Sequence, residues 1–239
     1  MWDVRHESNF TMSRRCLSTN RILPDRELDK YQSTPRDGEL FYKPMQLCEG
    51  NSAMDINEAI TGRRAVRDYT EQAIDERTIR SLIDAAIHAP SAVNQQPWTF
   101  TVVRDQSVLD RISHDAKAHM LATMPAGPHS DHFQALLDDP GFHIFYRAPV
   151  LILIAAVAEG SWIVEDCALA AENLMLAAYA AGLGSCWIGF AQTFLNSAEG
   201  KDVLGLPAAW VPVAPIIVGH PKAAPPSILH KEPEIRWIG

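Results

Sequence analysis

Three arginines within five positions, Arg63, Arg64 and Arg67, open the part of this sequence best equipped for chemistry. A guanidinium stays charged at any physiological pH, and its planar fork of donors matches a phosphate bidentately. Along a strand Arg63, Ala65 and Arg67 would share one face, with Arg64 on the other. An irregular loop would let all three converge. The short helix expected before them offers its C-terminal end, which repels an anion, so the side chains must do the binding. About twenty residues on, Ser91, Asn94, Gln95 and Gln96 lie in a turn bracketed by Pro90 and Pro97. Amides both donate and accept, which suits a uracil-like ring edge where carbonyl acceptors alternate with a ring N–H. Each segment taken alone has a plainer reading: a solvated basic turn after a helix, and an amide-rich surface loop between helix and strand.

The charge balance sharpens the first motif. The chain of 239 residues has a net charge of −8 and a pI near 5.5. Residues 1–53 hold eight basic and eight acidic residues, so the whole deficit falls in residues 54–239, which carry thirteen cations. Three of those cations sit together, and in an acidic domain such a cluster calls for a specific anionic partner. The acidic balance argues against non-specific binding to nucleic acid or anionic lipid. With 47% hydrophobic side chains, the chain can bury one sizeable core. The four cysteines, Cys16, Cys48, Cys167 and Cys186, have no metal-site or disulfide-scaffold spacing and read as free thiols in a reducing cytoplasm. The longest apolar run, Pro149 to Ala158, falls short of the roughly 20 residues that span a bilayer. No secretory segment opens the chain, and Asp3, Glu7 and Asp25 argue against a transit peptide.

The elements that must position these residues follow from periodicity. Residues 1–53 lack a sustained pattern and read as an extension, poorly ordered or laid over the body, or as the product of a start upstream of Met54. From Asp55, with Glu58 three residues on, a short capped helix runs to Gly62. A second helix covers Asp75 to Ala89, closed by Pro90, and Trp98–Val103 is a strand. A helix over Ser107–Met124 precedes a segment rich in Pro, Gly, His and Asp, Pro125 to Gly141, which suits a lid. Val150–Val157 is a buried central strand. Trp162–Ala181 is a core helix stopped by Gly182, and Leu183–Ile188 and Val211–Val218 are further strands. Glu234–Ile238 reads as a last short strand. Helices and strands alternate irregularly, which predicts an α+β or α/β sandwich with helices on both faces of one sheet.

Two tempting motifs are set aside. Gly182-x-Gly184 is preceded by a helix and followed by a strand, the reverse of a dinucleotide fingerprint. His129 and His132, with His114, His119 and His143 nearby, have no zinc-helix pattern and read as polar lid residues, some able to touch substrate.

Arg63-Arg64-Ala65-Val66-Arg67-Asp68-Tyr69, then Ala89-Pro90-Ser91-Ala92-Val93-Asn94-Gln95-Gln96-Pro97-Trp98-Thr99-Phe100, then Gly182-Leu183-Gly184-Ser185-Cys186-Trp187-Ile188-Gly189, and finally Gly219-His220-Pro221 occur in that order. This succession resembles the nitroreductase family over residues 55–239. The resemblance implies an α+β fold, a single mixed sheet sandwiched by helices, and an FMN-binding domain over residues 54–239, in which Arg63, Arg64 and Arg67 hold the phosphate, ribityl chain and pyrimidine edge. Ala65 stands where the family usually has serine, so backbone contact must suffice there. Pro90, Ser91, Ala92 and Asn94 would approach the ring, typically from the partner subunit. Trp187, Ile188 and Gly189 would line it, with the Gly189 N–H near flavin N5. Lys231 is the best candidate for a late basic residue on the phosphate, with Lys222 and Arg236 also available. The implied activity takes hydride from NADPH or NADH to flavin N5 and reduces an electron-poor acceptor, a nitroaromatic or quinone, in a ping-pong cycle. The flavin carries that chemistry, so no catalytic side chain is assigned. The implied assembly is a homodimer with the C-terminal strand exchanged. The alternatives are a non-catalytic FMN-binding protein or a specialised member such as a reductive dehalogenase, although no lid pattern of that kind is recognised.

Overall fold

The computed structural model describes residues 54–123, 130–157 and 159–239, and the extension expected over residues 1–53 lies outside the described residues. Four strands form one sheet: β1 (Trp98–Val103), β2 (Val150–Ala156), β3 (Gly184–Trp187) and β4 (Val211–Gly219), in the order β1-β2-β4-β3. All three pairings are antiparallel. The expected mixed character rests on a single parallel bridge, Ala65 to Ser185, by which the arginine segment lies along the outer edge of β3.

β2 reads as a continuous apolar run because both of its faces are covered. Val150, Ile152, Ile154 and Ala156 point into one core layer, and Leu151 and Leu153 into the other. The first layer packs the sheet on α2 (Glu76–Ile87) and α5 (Ile163–Ala180) through Leu82, Ala86, Ala170 and Leu174. The second packs it on α3 (Gln106–Thr123) and α6 (Gly189–Asn196) through Leu109, Ile112, Phe194 and Leu195. Burying each such Leu or Ile is worth about 1.5–3 kcal/mol relative to exposure. Where β2 meets β4 the register shifts between Ile154 and Ala155, so Val213 is skipped and Pro212 is accommodated beside Ala155.

Three further helices complete the described residues: α1 (Ile56–Gly62), α4 (Ser130–Asp138) and α7 (Ala198–Val203). The Asp55 side chain caps α1 by accepting from the Asn57 N–H. Gly62 does more than end that helix. A Cβ there would overlap the hydroxyl and ring of Tyr179, so the glycine lets α1 lie against α5.

Two expectations change. The lid segment contains α4, a regular helix, where a loop was expected, while residues 124–129 lie outside the described set. Glu234–Ile238 forms no strand within its own chain, because no described strand lies beside it. A strand is defined by its neighbour, and the single chain provides none there.

Candidate functional site

The arginine segment leaves α1 and runs beside β3, held by the Val66 N–H donating to the Ser185 carbonyl at 3.0 Å. Further on, the Thr70 N–H donates to the His220 carbonyl (2.9 Å) and the Lys222 N–H to the Asp68 carbonyl (3.1 Å). Tyr69 is buried beneath this run and donates its hydroxyl to the Val66 carbonyl at 2.6 Å. Burial pushes that phenol well above its usual range. The segment is therefore a strap whose backbone is tied to β3 and to the chain just after β4.

Arg63 and Arg64 line one cavity of about 200 Å³ together with Tyr179, Ser185, Pro221 and Pro225. Arg64 is pre-oriented: its Nη1 donates to the carbonyls of Thr61 and Arg63, both at 2.7 Å. Those carbonyls lie at the C-terminal end of α1, where a cation is favoured. The Nε atoms of both arginines are buried without a hydrogen-bond partner. Arg63 Nε lies 3.4 Å from Glu172 Oε1, close enough for attraction but not aligned as a hydrogen bond. Two arginines that line one cavity, each with a buried Nε lacking a hydrogen-bond partner, fit a compact anion with several acceptor oxygens, such as a phosphate.

Arg67 does not line that cavity. It lies beside the Cys186 thiol and the Tyr146 phenol, whose upward shifts through burial it partly opposes. The three arginines thus split into a pair and a single residue. Ala65, between them, is exposed and makes the parallel bridge to Ser185.

Trp187, Ile188 and Gly189 follow where β3 turns into α6. Trp187 is half-buried against the first core layer, Ile188 is buried in the second, and the Ile188 N–H donates to the Pro215 carbonyl at 2.8 Å. Gly189 opens α6, and no heavy atom lies within 4 Å of where a Cβ would stand. Beyond it stands an aromatic group that sequence reasoning missed. Phe190 meets Phe133 of α4 and Phe142 edge-on at centroid distances of 5.9 and 6.1 Å, and Phe142 meets Tyr146 at 5.7 Å. These four aromatics come from three separate parts of the chain, so no local pattern could join them.

Pro90, Ser91, Ala92 and Asn94 lie in a compact loop with a 3-10 turn over Ala92–Asn94. Ser91 Oγ accepts the Gln96 N–H at 2.9 Å, and Gln96 Nε2 donates to Asn94 Oδ1 at 2.8 Å. Val93, Asn94 and Gln96 all have positive φ, of 47°, 56° and 47°. The loop precedes β1, at one edge of the sheet, whereas the arginines lie along β3 at the other. Three strand spacings put these edges about 14 Å apart, and the register places them at opposite ends of the sheet. Lys231 is exposed in a C-terminal stretch without regular secondary structure, and it is not brought to the arginine pair. Lys222 is engaged with Asp68 at 2.8 Å.

Of the histidines, His143 has both ring nitrogens engaged, Nδ1 accepting the Phe145 N–H and Nε2 paired with Asp110 at 3.0 Å. Its pKa is lowered chiefly by burial, then by Arg147. Cys167 is pushed up to about 12 by burial, with the Asp166 carboxylate adding to the shift, and so remains a thiol. No described helix is long and apolar enough to cross a membrane.

A sheet of this order between two helical layers, with an arginine-lined cavity along one edge strand, defines a recurrent α+β class. The sequence profile described as "Nitroreductase family" matches residues 60–220. A protein of Methanothermobacter thermautotrophicus, provisionally named NADH dehydrogenase/NAD(P)H nitroreductase, is 32% identical over 180 residues, covering 73% of this chain and 81% of that one. An FMN reductase (NADPH) of Bacillus subtilis is 26% identical over 176 residues, 69% of this chain and 65% of that one. The crystal structure of a nitroreductase with bound FMN from Bacteroides fragilis superposes with a TM-score of 0.69 at 25% identity, covering 78% of this chain and all of that one. The chain belongs to the nitroreductase family of oxidoreductases.

Proposed function

We propose that residues 54–239 form an FMN-binding domain of a cytoplasmic, homodimeric oxidoreductase. It takes hydride from NADPH or NADH and passes it to an electron-poor acceptor such as a nitroaromatic or quinone. The observation that carries this reading is that Arg63 and Arg64 line a single cavity, each with a buried Nε that has no hydrogen-bond partner. Bound FMN would supply a two-electron centre that alternates between a nicotinamide donor and the acceptor. The chain's own residues do the rest. Arg63 and Arg64 hold the phosphate, Arg64 from a geometry already fixed by the Thr61 and Arg63 carbonyls, which lowers the ordering cost of binding. Trp187 and Ile188 would form the wall of the ring site, and Gly189, the first residue of α6, has no carbonyl of its own helix for its N–H to meet, so that donor could serve the ring. The aromatic group of Phe133, Phe142 and Phe190 makes an apolar wall suited to flat acceptors.

A second copy of the chain completes the site in this reading. Loop 90–97 and the arginine pair lie at opposite corners of one sheet. A flavin seated at the arginines is therefore met by that loop from a partner subunit. The relatives' names, an NAD(P)H nitroreductase and an NADPH-dependent FMN reductase, support a nicotinamide donor. The test is the anaerobic absorbance spectrum of the purified protein before and after NADPH, then NADH. The expected result is a flavin spectrum that bleaches with one or both. A flavin spectrum that persists with both would overturn the nicotinamide-linked activity, and no flavin uptake from added FMN would overturn the cofactor.

A further inference from the structure

The Ser91–Gln96 loop has a shape that its own sequence does not favour. Val93 is β-branched and sits at φ 47°, with Asn94 and Gln96 also in the left-handed region. Such residues persist where the surroundings over-determine them. Most of the loop's hydrogen bonds stay within it: the Asn94 N–H to the Ser91 carbonyl, the Gln95 N–H to the Ala92 carbonyl, and the Gln96 N–H to Ser91 Oγ. Packing does not hold Val93, which is 97% exposed.

One short bond ties the loop to the core. The Ala92 N–H donates to Asp166 Oδ1 at 3.0 Å, across 74 positions of sequence, while the other tie, Gln95 Nε2 to the Glu159 carbonyl, is 3.4 Å long. Asp166 is only 3% exposed, in the first turn of α5, where the helix dipole favours a carboxylate. Its Oδ2 is buried and has no partner. An orphaned buried carboxylate oxygen is costly, and an apolar residue would suit that core position better. Residues that break a local rule in this way are expected where function requires them.

We infer that Asp166 is a positioning residue, which holds the Ser91–Gln96 loop in its strained, flavin-binding shape through the Ala92 N–H. The inference rests on the FMN reading above. The carboxylate touches neither cofactor nor acceptor in this role; it acts through the backbone of Ala92.

The test compares the full-length protein with Asp166→Ala, Asp166→Asn and Asp166→Leu, each stripped of flavin and titrated with FMN by fluorescence quenching. The unfolding temperature of each apo form is recorded alongside. Asp166→Ala is expected to weaken FMN binding about tenfold or more while leaving the apo form as stable as wild type. Asp166→Asn keeps an acceptor for Ala92 and should bind FMN within about threefold of wild type. Asp166→Leu fills the position and removes the acceptor, so it should weaken binding as Ala does even if the Ala variant fails to fold. Wild-type affinity in both Ala and Leu variants would overturn the inference. So would a loss shared equally by the Asn variant, or one matched by a fall in apo stability. A wild-type protein that takes up no FMN is a separate result, and it fails the cofactor reading itself.

Discussion

Arg64 is held by its own segment before any ligand arrives, with Nη1 spent on two carbonyls and Nε left buried and unpaired. In the proposed flavin site, the edge of the guanidinium not spent on those carbonyls is the one a phosphate would meet. Replacing it with alanine removes a charge-assisted hydrogen bond worth about 1.5–3 kcal/mol, or roughly 10- to 100-fold in affinity. Arg64→Ala should accordingly be purified with a lower flavin-to-protein ratio, read from its absorbance. Undiminished flavin in that variant would remove Arg64 from the site. The arginine pair was legible in the sequence because charge in an acidic domain stands out locally. The split between that pair and Arg67 was not, since it depends on which way a strap turns beside β3. Asp166 carried no signal at all. An acid in the first turn of a helix is ordinary, and its bond to Ala92 joins residues 74 positions apart.

At the scale of elements, the strap and β3 approach closely because Gly184 has no side chain. A Cβ there would stand 2.7 Å from both Cβ and Cγ2 of Val66, which is buried. Gly184→Ala should therefore destabilise the protein by about 1–3 kcal/mol, the usual cost of overpacking, measured by urea unfolding. Adding Val66→Gly removes that Cβ together with both methyls and gives the new methyl room, so the double variant should be more stable than the two single changes add up to. Additive losses would mean that the strap is not packed on β3 as described. Most elements here were legible from periodicity and breakers: β1 matches the expected Trp98–Val103, and α5 lies one residue inside each expected end. α6 was missed because its N-cap, Ile188, makes no side-chain cap, so nothing in the sequence marks its beginning. α7 carries a proper signal, Ser197 accepting from the Gly200 N–H, but it is only six residues long. Strand order was beyond reach, because it is set by which apolar faces meet across the chain.

The whole molecule leaves one part of its apolar surface without a place in the single chain. Beyond Pro221 the polypeptide carries Ile228, Leu229, Ile235, Trp237 and Ile238, all exposed, with Leu229 and Trp237 at 101% and 88%. Isolated exposed apolar residues are common, but five within eleven positions of an extended arm are not typical of a monomer's surface. Burying such side chains is worth about 1.5–3 kcal/mol each, enough together to hold two subunits. In the proposed homodimer, the expected strand over Glu234–Ile238, which pairs with no described strand of its own chain, would find its neighbour in a second copy. The diagonal separation of loop 90–97 from the arginine pair fits the same proposal, in which a partner would bring the two half-sites together. The full chain should therefore elute as a dimer in size-exclusion chromatography with light scattering. Removal of residues 230–239 should shift it toward the monomer and lower its FMN content in parallel. If both forms elute as the same monomer, the exchanged arm is wrong. If both elute as the same dimer with full flavin, the interface lies elsewhere, and the arm's apolar residues need another explanation.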